Sequence, residues 1–244
     1  MKAHTPRLHI ALVASLALFV MAGAATAAGP APAAQPVVRP TQELVTLLGR
    51  HEAFLKPDRR SVRVGLVQAR RPITGAQTVL PVVGHATDPA GVAWVRVRLP
   101  GRPNGFAGWI EKRATRASAT GWHIVVNVSS RRVVVYHGGR VVRAFPAVVG
   151  KPSTPTPRGP YFVEEAVDLP ATAVGAPFAL ALSARSYVLQ EFAGGPGQIA
   201  IHGLENIGGV LGTAASHGCV RVDTVAIRWL VARMGPGTPV TVRG

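Results

Sequence analysis

A single cysteine, Cys219, stands in a chain of 244 residues. That scarcity excludes an internal disulfide and any metal site built on a Cys-x-x-Cys pair. Acidic residues are also few: 11 Asp and Glu face 27 Lys and Arg, a formal net charge of +16. Lysine is almost missing, with Lys2, Lys56, Lys112 and Lys151 against a large excess of arginine. The basic residues are scattered and not gathered on one element, which argues against nucleic acid as a partner. They fit an anionic surface such as a cell-wall polymer, and an arginine-, alanine- and valine-rich composition fits GC-rich coding equally well. No apolar run reaches the ~20 residues of a membrane span, and no internal repeat at a fixed period is found.

What is present begins with a targeting pattern. Lys2 and Arg7 precede an uncharged run from Ile10 to Met21, and small residues end in Ala25-Thr26-Ala27. This reads as a secretory signal peptide at 1–27, with an uncleaved anchor as the alternative. No cysteine lies near the cleavage site, so a lipid-modified N-terminus is excluded. The mature protein is expected to be exported to a cell-wall or periplasm-like space, without a membrane span once the signal is removed. A solitary thiol in an oxidising compartment has no partner to pair with and is a liability unless it is used. The opposing reading, a cysteine serving as a small core hydrophobe, is set aside because of its neighbours.

Residues 28–60 read as a Pro/Ala-rich linker followed by a short helix over Thr41–Phe54, where Leu44, Val45, Leu47, Leu48 and Phe54 are loosely spaced for one face. From 61 to 118 the pattern is a small β module, in which Val62-Arg63-Val64 and Trp94 to Leu99 alternate between turn-rich segments. A second β-rich unit spans 121–244. Its strand candidates are His123–Val128, Arg132–Tyr136, Val141–Val149, Tyr161–Val163, Phe178–Leu182, Ile199–Ile201 and Thr238–Val242. Gly138-Gly139 reads as a hairpin turn. One helix is expected from Asp223 to Met234, capped by Asp223 or Thr224 and ended by Gly235-Pro236. The fold class is mainly β, with a monomer as the default.

The chemistry gathers in Ser216-His217-Gly218-Cys219-Val220-Arg221, with His202 17 residues before the cysteine. A thiol reacts as thiolate, which cationic groups and helix N-termini favour, so the helix after Asp223 is expected to lower the Cys219 pKa. Gly218 permits a tight turn, and amides near Gly218 and Cys219 would suit an oxyanion. His202 and His217 both compete for the role of base. Zinc held by His202, His217 and Cys219 is the rival chemistry, although a fourth ligand is lacking. His51, His85, His123 and His137 read as structural. Glu164, Glu165 and Asp168 read as a solvated acidic loop, and Glu191 carries no signal.

His202-Gly203, the spacer and Ser216 to Arg221 together resemble the signature of the L,D-transpeptidases, peptidoglycan cross-linking enzymes with a cysteine nucleophile. The loop Pro155-Thr156-Pro157-Arg158-Gly159 is similar as well, and the resemblance covers about Trp122 to Val242. The resemblance implies a β-sandwich or barrel catalytic domain with one helix after the nucleophile. It makes Cys219 the nucleophile and His202 the base and acid, oriented by the Gly203 carbonyl. It has His217, Gly218 and Cys219 shaping the oxyanion site, supported by Ser216 and Arg221. The substrates would be peptidoglycan stem peptides, with D-alanine released, carbapenems as acylating agents, and no metal or organic cofactor. An L,D-carboxypeptidase or a protein-to-wall attachment enzyme of the same fold differs only in the acyl acceptor. The preceding β module, with Gly108-Trp109-Ile110, weakly resembles bacterial Src-homology-3-like modules.

Overall fold

The computed structural model describes Met1 and residues 38–244 apart from position 193. Residues 2–37, which carry the rest of the expected signal peptide and the start of the expected linker, lie outside the described residues. Short runs of Val, Ile, Thr and aromatic residues become strands because β-branched and flat side chains pack well on a pleated surface.

The first seven strands form one sheet: β1 (Gln42–Leu47), β2 (His51–Phe54), β3 (Arg63–Val67), β4 (Val79–Thr87), β5 (Ala93–Arg98), β6 (Ala107–Glu111) and β7 (Thr115–Thr120). Their order across the sheet is β3-β2-β6-β5-β4-β1-β7. The helix expected over Thr41–Phe54 is therefore wrong, since β1 and β2 occupy that stretch. Strand β1 lies between β4 and β7, and successive residues Leu44, Val45, Thr46 and Leu47 are all buried. A strand covered on both faces loses the period of two, so its apolar run is indistinguishable from a short helix face. The core of this sheet includes Leu47, Leu80, Val95 and Ile110, and it takes in Phe162 from the second half of the chain.

The second sheet has the order β10-β9-β8-β17-β12-β13-β14-β16. Its strands are β8 (Trp122–Asn127), β9 (Arg132–His137), β10 (Arg140–Pro146), β12 (Gly159–Asp168), β13 (Phe178–Arg185), β14 (Gln198–His202), β16 (Val220–Arg221) and β17 (Pro239–Arg243). Two short strands, β11 (Val149–Gly150) and β15 (Ala214–Ser216), pair in parallel beside it. Gly138 and Gly139, at φ +59° and +78°, turn β9 into β10, a left-handed pair that glycine adopts without a Cβ penalty. One helix is found among the described residues, α1 (Thr224–Val231), following the cysteine as expected. Asp223 caps it by accepting from the Ala226 amide at 2.7 Å, and Ala226, Ile227 and Leu230 face the core.

Glu164 and Glu165 do not lie on a solvated loop. Both sit on β12 and are 1% exposed. A register shift between Val163 and Glu165 is the kind of irregularity that breaks strict strand alternation, and here two successive carboxylates are buried. Burial of charge requires partners. Arg71 meets Glu164 and lies 3.8 Å from Glu165, while Arg185 Nη1 lies 3.0 Å from Glu164. The amide and hydroxyl of Thr74 each donate to Glu165 at 2.8 Å. This cluster ties the 71–74 segment to β12 and β13. Asp168, at the end of β12, is exposed as expected.

Candidate active site

The site begins with a parallel strand pair. β14 and β16 lie side by side with Ile201 opposite Val220 and His202 opposite Arg221. This pairing brings residues separated by a long, glycine-rich connection into one register. Between β15 and β16 the chain makes a tight turn held by its own side chains. Ser216, fully buried, donates from Oγ to the Cys219 carbonyl at 2.5 Å, and its Oγ accepts the Gly218 amide at 3.1 Å. Gly218 has φ +121°, and a Cβ there would stand 3.0 Å from Ile199 Cδ1. The backbone conformation requires glycine, and a side chain would also press on Ile199.

The Pro-rich loop before β12 braces this turn from behind. Thr154 Oγ1 donates to the Ser216 carbonyl at 3.2 Å, and Thr156 Oγ1 donates to the Gly218 carbonyl at 2.8 Å. Thr156 Oγ1 also accepts the Gly150 amide at 2.9 Å. The sequence pointed to this loop only through a family resemblance, and not to the two threonines that hold the cysteine turn. A threonine between prolines carries no signal of which distant carbonyl it meets.

A cavity of about 270 Å³ opens over the turn, lined by His202, His217, Cys219 and Arg221 together with apolar Ile199, Leu189, Phe192 and Ile207. Larger clefts lie elsewhere on the surface, but neither contains the cysteine. His202 is 8% exposed, and its Nδ1 donates to the Gly203 carbonyl at 2.8 Å. That bond assigns the proton to Nδ1 and leaves Nε2 with a free lone pair. Gly203 allows the arrangement, since a Cβ there would come within 2.0 Å of the Ala176 carbonyl oxygen. Gly175 was missed in the sequence. Its φ is +83°, and an added Cβ would lie 2.3 Å from His202 Nδ1, so this glycine forms the back wall against which the imidazole rests. His217 is exposed and stacks on Phe192 with ring centroids 6.2 Å apart.

The electrostatics correct one expectation. Cys219 keeps part of its surface open to solvent, yet burial pushes its thiol up from the ordinary 9.0, against a downward pull from the Ala200 amide and the Arg221 charge. The helix was expected to lower it. Its N-terminus is already capped by the Asp223 carboxylate, which offsets the positive end of the dipole. Burial likewise pushes His202 down from 6.5, with the Gly203 carbonyl opposing and Arg221 assisting. At neutral pH the pair is therefore thiol and neutral imidazole. Arg221 is 8% exposed and donates from Nη1 to the Gly208 carbonyl at 3.2 Å.

The remaining sequence candidates are placed as follows. The Gly218 amide is committed to Ser216, so Gly218 contributes the shape of the turn. No three His, Cys, Asp or Glu side chains gather as metal ligands would among the described residues. His51 spans the carbonyls of Gly49 and Arg113, His85 pairs with Glu43, His123 lies 2.9 Å from Thr241 Oγ1, and His137 packs on Trp122.

Residues 121–242 match the family model described as YkuD: L,D-transpeptidase catalytic domain. The YkuD proteins of Bacillus subtilis and Bacillus licheniformis are 29% and 30% identical to this chain over 121 residues, half of its length. The match spans 65% of each of those relatives, a little under two thirds. Among solved structures, L,D-transpeptidase 3 from Mycobacterium tuberculosis in complex with a faropenem-derived adduct is 18% identical, at a TM-score of 0.43, covering 68% of this chain and 91% of that one. An L,D-transpeptidase from Mycobacterium smegmatis is 19% identical, at a TM-score of 0.39, covering 62% and 90%.

Proposed function

The chain belongs to the L,D-transpeptidase catalytic-domain family, and from that premise we propose that it is an exported cysteine acyltransferase that cross-links peptidoglycan stems. The observation that carries the reading is the shared cavity, which Cys219 and a His202 held through Nδ1 by the Gly203 carbonyl both line. His202 Nε2 takes the proton from the Cys219 thiol as the sulfur attacks the carbonyl carbon after the third residue of a tetrapeptide stem. The amides of His217 and Cys219 face the developing oxyanion. Collapse breaks the amide bond, and the departing D-alanine amine receives the proton that His202 had taken. A thioester on Cys219 remains; an amine of a second stem attacks its carbonyl carbon, the C–S bond breaks as the cross-linking amide forms, and the amine's proton passes through His202 to the departing Cys219 sulfur. The mutual neutrality of thiol and imidazole suits this order, because the proton moves only when a substrate is in place.

The signal pattern at 1–27 supports export, and the surplus of arginine suits an anionic wall. Water or a protein amine as acceptor would make the same site an L,D-carboxypeptidase or a wall-attachment enzyme. An inert cysteine would make the chain a wall-binding module. Intact-protein mass spectrometry after carbapenem exposure separates these classes. The expected result is a carbapenem-sized adduct on the wild type that Cys219→Ala abolishes. A folded, reduced wild type that forms no adduct overturns the catalytic reading. Incubation with tetrapeptide stems, with and without an acceptor amine, then assigns the acyl acceptor.

A further inference from the structure

We propose that the first sheet is part of the catalytic machinery's scaffold: the tip of its β5–β6 hairpin, through Arg102 and Asn104, sets the wall of the substrate cavity. The inference rests on the acyl-transfer reading for its substrate and on geometry for the rest. β13 and β14 are joined by two limbs, Ser186–Phe192 and Gly194–Gly197, which supply Ser186, Leu189, Phe192 and Gly197 to the cavity lining. The limbs bond to each other through the Ser186 amide and the Gly197 carbonyl at 2.8 Å, and through Phe192 and Gly195. Little apolar burial holds them, since Tyr187, Val188 and Phe192 are each more than half exposed.

Arg102 supplies the missing tie from the other sheet. Its Nη2 donates to the Ser186 carbonyl at 2.8 Å and the Leu189 carbonyl at 3.3 Å, and its Nη1 donates to the Pro196 carbonyl at 3.0 Å. One rigid guanidinium fork therefore bridges both limbs, a geometry that a flexible ammonium cannot reproduce. Asn104 adds a two-way bond to the base of the first limb: its Nδ2 donates to the Arg185 carbonyl at 2.7 Å, and its Oδ1 accepts the Arg185 amide at 2.8 Å. The Gly101 amide donates to the Ser183 carbonyl at 3.2 Å. From the wall, Phe192 stacks on His217, two residues before Cys219. Arg102 touches no reacting atom. It is a positioning residue, and its contacts run through carbonyls to the apolar face that a stem peptide must slide along.

The test compares wild type, Arg102→Ala and Arg102→Lys in the full chain. Loss of the fork is expected to raise KM for the tetrapeptide stem about tenfold with kcat changed less than about threefold, as removal of uniform binding does. Alkylation of Cys219 by iodoacetamide, which needs no wall, should be unchanged. Cleavage by a protease of broad specificity within 187–196 should speed up, and Arg102→Lys should fall between the other two on both measures. An unaltered KM and cleavage rate in Arg102→Ala overturns the proposal. So does a loss of alkylation in step with acylation, because the effect would then be general disruption. Failure of the wild type itself to turn over would count against acyl transfer, while the cleavage comparison would still decide the positioning role.

Discussion

Gly175→Ala should displace His202, the proposed base, without touching Cys219, the proposed nucleophile. The added methyl would sit 2.3 Å from His202 Nδ1, 2.9 Å from Cγ and 3.0 Å from Cε1. Non-bonded contact needs about 3.5 Å, so the ring must retreat by about 1 Å. Retreat strains or breaks the 2.8 Å bond to the Gly203 carbonyl, worth about 1 kcal/mol. Placing alanine at φ +83° adds about 1–2 kcal/mol. The expected loss of stability is thus about 2–3 kcal/mol, which shifts Tm by several degrees and leaves a typical domain folded. Catalysis should suffer more, because a 1 Å misplacement of a reacting group costs about a hundredfold. In barrier terms that is about 2.7 kcal/mol. The assay is single-turnover release of D-alanine from a tetrapeptide stem, with circular dichroism to confirm folding. Iodoacetamide labelling of Cys219 at a pH above its thiol pKa, where no base is needed, should stay within about twofold of wild type. A folded Gly175→Ala enzyme that keeps more than about a third of wild-type kcat/KM would refute the claim that this glycine fixes the imidazole.

Three further outcomes follow from the same structure. The productive pair holds one proton, which must reach the leaving amine, so kcat/KM should be flat between 6.5 and 9.0, the ordinary values from which His202 is pushed down and Cys219 up. It should fall on the acid side when His202 protonates and on the alkaline side when the thiol ionises; an acid limb centred above 6.5 would contradict the burial argument. Glu164→Leu strands the charges of Arg71 and Arg185, and urea unfolding should show a loss of about 3–5 kcal/mol; a loss below 1 kcal/mol would mean that water reaches the cluster. Burial pushes His123 down to about 4. The unfolded chain takes up this proton near the ordinary 6.5 and the folded chain does not, so stability is full above 6.5 and declines as pH falls toward 4. His123→Gln should flatten that part of the stability–pH curve, and an unchanged slope would exclude the residue.

Much of the site was legible in the sequence because its chemistry is local. Ser216 to Arg221 is a turn whose serine hydroxyl, glycine amide and cysteine carbonyl bond to one another within a few residues, so their spacing carries the information. The start of the helix after it was equally readable, since Asp223 as cap is a local signal, but the helix ends at Val231, before the Met234 and Gly235-Pro236 boundary that the sequence suggests. The errors arose where the environment came from far along the chain. β1 imitated a helix because β4 and β7 flank it and both its faces are covered. Glu164 and Glu165 looked solvated because Arg71 and Arg185, which allow their burial, are remote in sequence or on another strand. The thiol pKa was misjudged because a helix N-terminus can be read from sequence, whereas the desolvation of one sulfur cannot.

By itself the sequence determined which residues can do chemistry: one thiol, two histidines near it, and a glycine that lets the turn form. Tertiary structure decided which of them line one cavity. Pairing of β14 with β16 brought His202 beside the cysteine turn, Gly175 and Gly203 fixed its ring, and His217 stands exposed in a stack with Phe192. It also recruited the first sheet, whose Arg102 reaches across to the cavity wall. Residue type sets reactivity, but a proton moves over only about 3 Å, and that distance is set by strands that meet only when the chain is folded.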